Sequence, residues 1–200
     1  MLSIKLAATT LVLGVVLPFR AGSSKVQTSP DVKVIVDQVE RVEPKDVELH
    51  IAVRNEAGHD IYLPIYGTGG EPAEQIRTVT VYQRVAGDGW RRLGAESELP
   101  LSAVTRLGPG KVLTLVRWVQ DPALALRPGE GVPAFKGELV PLAGKHKITL
   151  AYFASEKEWL NYRKHVEGRS GKTVGKWKPG SPAPMRVAES EEFEIPPANT

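Results

Sequence analysis

His50 and His59 lie close together in the stretch HIAVRNEAGHDIYLP, with Glu56 and Asp60 beside them. Imidazoles and carboxylates this close in sequence are the raw material of a metal centre or an acid–base pair. The residues between them argue against both. In DVELHIAVRN, Val47, Leu49, Ile51 and Val53 alternate with Glu48, His50, Ala52 and Arg54, which is the period of a half-buried strand. His50 then points away from the apolar stripe, and His59 falls in a turn beyond the strand. At about 3.3 Å per residue, the steps from His50 to Arg54 already cover about 13 Å, whereas ligands of one ion lie about 2 Å from it. Asn55, Gly58 and Asp60 are turn formers. The expectation is two strands joined by a polar turn.

Other chemistry-bearing residues read the same way. His146 stands between Lys145 and Lys147, a setting read as exposed and solvated, and no G-x-S-x-G elbow accompanies it. Glu189, Glu191 and Glu192 in AESEEFEIP could pair for glycoside hydrolysis; a charged edge strand that resists sheet-to-sheet pairing is the simpler expectation. There is no D-x-D-x-D run for calcium. YGTGG and RPGEG lack the strand-into-helix context of a phosphate loop and read as turns. No catalytic, metal or cofactor-binding residue is assigned, and the chain is read as non-enzymatic.

One segment concentrates charge. Across residues 162–180, Arg163, Lys164, Arg169, Lys172, Lys176 and Lys178 oppose only Glu167, a local excess of +5 against +3 for the whole chain. Trp177 sits between two of these lysines. Together these seven residues are the candidate surface for an envelope protein or an anionic polymer, the alternative being a solvated loop with Trp177 folded onto the domain. The whole-chain charge is too small to argue for nucleic acid.

Residues 1–24 read as an export signal. Lys5 precedes 14 apolar residues, too short a run to span a bilayer comfortably, and Ala21-Gly22-Ser23 offers small residues for cleavage after Ser23; a retained anchor is the alternative. Residues 25–30 form a polar linker and 31–197 a single domain, periplasmic or extracellular. There is no cysteine among the 200 residues, which excludes disulfides and thiolate chemistry and leaves packing to supply stability.

The alternation recurs in VKVIVDQVERV, RTVTVYQRV, VLTLVRWVQ and KHKITLAYF. AGDGW marks a hairpin, and residues 121–144 read as a Pro/Gly-rich connection. Ser155 and Glu158 form a capping box before a helix at about 156–166, with Trp159, Tyr162 and Val166 on one side. Trp90, Trp118 and Trp159 are read as packing residues, with Trp118 sharing a core face with Val112, Thr114 and Val116. Seven or eight antiparallel strands with one late helix imply an all-β, two-sheet sandwich. The VELHIAVRNEAGHDIYL pair, followed by LGPGKVLTL, AGKHKITLAY and SEEFEI, resembles the immunoglobulin-like domains of exported bacterial proteins. That resemblance implies the sandwich fold and carries over no functional residue; the chain is read as a binding or structural accessory of the cell envelope. A loop-presenting inhibitor of a secreted hydrolase, with loops at YGTGGEPAEQ and 121–137, is an alternative, as is an enzyme with a cleft near the late helix and basic loop.

Overall fold

Alternating apolar side chains can leave water only if a second layer closes over them, and here that layer is another sheet. The computed structural model describes residues 31–65, 76, 78–87, 89–94, 103–127, 137–167 and 185–198. Within them lie β1 (Val32–Glu43), β2 (Asp46–Asn55), β3 (Ile61–Ile65), β4 (Val79–Val85), β5 (Gly89–Leu93), β6 (Ala103–Leu107), β7 (Val112–Gln120), β8 (Ala123–Ala125), β9 (Glu138–Val140), β10 (Gly144–Tyr152), α1 (Glu156–Glu167), β11 (Arg186–Glu189) and β12 (Phe193–Ile195). The fold is an all-β sandwich. A small sheet runs β1-β2-β7, a large sheet runs β11-β10-β4-β5-β8-β9 with β12 also on β10, and β3 pairs with β6. All these pairings are antiparallel.

The inner stripe of β2 behaves as its alternation requires: Val47, Leu49, Ile51 and Val53 are completely buried. They share one apolar core with Val79 and Val81 of β4 and with Ile148, Leu150 and Tyr152 of β10. The hairpin β4–β5 forms as expected, with Val85 opposite Gly89. Its turn carries Gly87 at φ 82, a left-handed conformation that a side chain would disfavour.

The expected 121–144 connection is not continuous loop. β8 and β9 pair within it, Ala123 with Val140 and Ala125 with Glu138. Three-residue strands are too short to show an alternation. The last strand is also divided: β11 and β12 lie at different places along β10. These pieces, with β6, raise the strand number to twelve among the described residues.

The helix begins where the capping box places it. Glu158 N–H donates to Ser155 Oγ at 3.2 Å. The return bond differs from the simple motif, because Glu158 Oε2 accepts from Ala154 N–H at 2.8 Å. Trp159 is buried and meets Phe153 and Tyr162 at ring separations of 5.5 and 6.0 Å.

Two polar devices tie the ends of the sandwich. Asn55 is fully buried at the end of β2; its Nδ2 donates to the carbonyls of His59 and Leu107, both at 2.8 Å, and its Oδ1 accepts from Ala57 N–H at 2.9 Å. At the opposite end, Arg41 meets Asp121 at 3.1 Å and also donates to the carbonyls of Pro44 and Pro196. Asp121 accepts in turn from Leu142 N–H.

Candidate functional site

His50 lies on the outer face of β2, where its Nε2–H donates to Glu48 Oε1 at 2.8 Å. His59 is exposed in the turn beyond the strand, its carbonyl accepting from Asn55. Among the described residues no three His, Asp or Glu side chains gather as metal ligands would.

His146 corrects the sequence reading. It is completely buried rather than solvated. Alternation along β10 puts it in phase with Ile148, Leu150 and Tyr152, while Lys145 and Lys147 point outward. That phase was the available signal, and the flanking lysines obscured it. Nδ1 lies 2.8 Å from the Gly144 carbonyl. A carbonyl only accepts, so Nδ1 carries the proton and Nε2 is a bare lone pair, without a hydrogen-bond partner among the described residues. Burial lowers the imidazole pKa from its ordinary 6.5, outweighing the opposite effect of the Gly144 bond. A ring with no exposed surface cannot touch a substrate, so this histidine is a packing element.

The carboxylates of AESEEFEIP are spread along the surface of the large sheet. Glu189 pairs with Lys147 at 3.1 Å, and Glu192 with Arg84 at 3.1 Å and Lys145 at 3.7 Å; Glu191 is exposed. Lys147 also sits 4.8 Å above the Trp90 ring, so this half-buried tryptophan serves the outer face of the sheet as well as the hairpin. Of the basic segment, Arg163 and Lys164 are exposed on α1. Arg169, Lys172, Lys176, Trp177 and Lys178 lie outside the described residues, as do residues 66–75 and 128–136 of the two candidate loops.

The second correction supplies the candidate site. Trp118 is not in the core. It is 54% exposed, in line with Val116 at 46% and Val112 at 48%. Leu113, Leu115 and Val119 take the inner face instead, because Leu113 lies opposite Val53 and Leu115 opposite Ile51, and cross-strand partners share a face. VLTLVRWV carries apolar residues at both phases, so its alternation alone could not choose between them.

The registers of β1, β2 and β7 arrange the outer face in four rows. They are Lys33–Arg54–Val112, Ile35–Ala52–Thr114, Gln38–His50–Val116 and Glu40–Glu48–Trp118. One end is therefore basic and the other acidic, with an apolar column along β7. Gln38 Nε2 donates to Glu40 Oε2 at 3.0 Å, extending the hydrogen bonding within the acidic half. Strand β7 pairs only with β2 among the described residues, so the column also borders a sheet edge. Aligned apolar side chains rimmed by charge are the chemistry of a contact surface, and an accessible Trp is the side chain that most often anchors one. No family model, no curated protein and no solved structure matches this chain.

Proposed function

We propose that this chain is an exported, non-catalytic β-sandwich that serves the cell envelope as a binding or structural accessory and docks through the outer face of β1-β2-β7. The observation that carries this is the column of Val112, Val116 and Trp118, each about half exposed on one strand. Large apolar side chains set in line on a surface favour association, because covering them removes apolar area from water. The apolar run after Lys5 and the small residues at 21–23 support export, and the immunoglobulin-like strand pattern fits an envelope role.

A photo-crosslinking residue placed at position 118, against one at exposed Lys157 of α1, tests docking in intact cells. Adducts at 118 but not at 157 are expected; none at 118, or equal yields at both, would refute it. The mass of the purified chain tests export: loss of residues 1–23 is expected, and an intact N-terminus in the cytoplasmic fraction would overturn it.

A further inference from the structure

Resting on the docking surface proposed above, we infer that its partner is a second copy of this chain, seated face to face across a two-fold axis. In such an interface each residue's contact is returned by its symmetry mate, so a surface can serve only if it complements itself after rotation. Take the axis in the plane between the two sheets, perpendicular to the strands, and between the two middle rows. Rotation then leaves β7 over β7 and exchanges the end rows. Lys33 comes over Glu40 of the second copy, Arg54 over Glu48, and Val112 over Trp118.

The row pairing of charge is what selects this partner. Among the described residues Lys33 and Arg54 make no ion pair, and Glu40 and Glu48 are met only by Gln38 and His50. Within one protomer, opposite charges at the two ends lie about 20 Å apart along the strands, beyond a Debye length of about 8 Å at physiological salt. Only a second molecule can bring them together, and a copy in reversed direction supplies the required signs at both ends. Sheets stacked about 10 Å apart leave room for Trp118 to lie against Val112 of the other copy. The contact is small. Three strands about 4.8 Å apart and about 23 Å long project roughly 300–400 Å² per copy, which belongs with weak, transient interfaces.

Sedimentation equilibrium of the purified full chain, taken to high micromolar concentration, reads the outcome. Reversible dimerisation is expected, with Trp118→Ala, Lys33→Glu and Glu40→Lys each weakening it about tenfold or more, as loss of about 1.4 kcal/mol does. The double variant Lys33→Glu/Glu40→Lys is expected to recover most of the affinity, because the two-fold axis restores both contacts with signs exchanged. Every variant shares one N-terminus, so association through any surface other than the outer face of β1-β2-β7 would be unchanged across the set and would overturn the inference. A monomer at all concentrations would overturn it too, as would a dimer that both single charge variants leave intact, the result for edge-to-edge pairing of β7. A monomeric chain that still gives adducts at 118 of a mass other than twice its own would sink the self-pairing while leaving the docking surface standing.

Discussion

The two outer faces of the sandwich handle their charges in opposite ways. On the large sheet, opposite charges meet across the outer face: Lys147 of β10 with Glu189 of β11, and Arg84 and Lys145 with Glu192 in the β11–β12 connection. Trp90 on that face lies beneath the Lys147 ammonium group. On the small sheet, charges are sorted by end, Lys33 and Arg54 at one and Glu40 and Glu48 at the other, and Trp118 is half exposed. A face whose charges meet within the chain has little left to offer a partner. Its counterpart leaves Lys33 and Arg54 without an ion pair among the described residues and Val112, Val116 and Trp118 about half exposed. The edges of the small sheet differ in the same sense. β1 is interrupted by two register shifts and carries Lys33, Asp37, Glu40 and Glu43, features that discourage pairing, whereas Arg117 is the one charged residue among the nine of β7.

The sharpest way to break this contrast is to truncate one residue type in two places. Trp159→Ala empties a buried aromatic cluster and is expected to cost about 3–5 kcal/mol in urea unfolding. Trp118→Ala should stay within about 0.5 kcal/mol at protein concentrations too low for association. Equal losses would mean that Trp118 belongs to the core and that the small sheet has no docking face. Asn55→Ala asks whether the ends of the small sheet are rigidly set. It orphans the His59 and Leu107 carbonyls and the Ala57 N–H, and a loss of about 2–3 kcal/mol is expected. A loss under about 0.5 kcal/mol would show that the turn holds without it.

His146 gives a smaller effect with a definite sign. Its folded pKa is lowered by burial, so the unfolded chain binds more protons as the solution is acidified. Stability is therefore fully present above the ordinary value of 6.5 and is lost as pH falls from there through the lowered folded value. Replacing His146 by Phe should flatten that loss, measured as unfolding midpoint against pH. An unchanged pH dependence would show that this ring does not govern it. The smallest effect belongs to the ion pairs of the large sheet. Glu192→Gln removes the partner of Arg84 and Lys145 and should cost about 0.2–1 kcal/mol, less in high salt. A much larger loss would mean that these charges are structural pins rather than neutralised surface.

Where only one phase of a strand is apolar, the phase determines the face. Val47, Leu49, Ile51 and Val53 had one way to leave water, and the polar side of β2, with His50, follows from them. The start of α1 was equally legible, because Ser155 and Glu158 satisfy backbone groups within a few residues of themselves. His146 was legible too, because it alternates in phase with Ile148, Leu150 and Tyr152 whatever the charge of its neighbours. In β7 both phases carry large apolar residues, so burial energy along the strand does not distinguish them. The pairing of Leu115 with Ile51 does, and it is a contact between residues 64 positions apart. Tertiary structure alone therefore turned Trp118 outward and set the basic and acidic rows at opposite ends of one face, because register with a distant strand is a property of the assembled sheet and of no single segment.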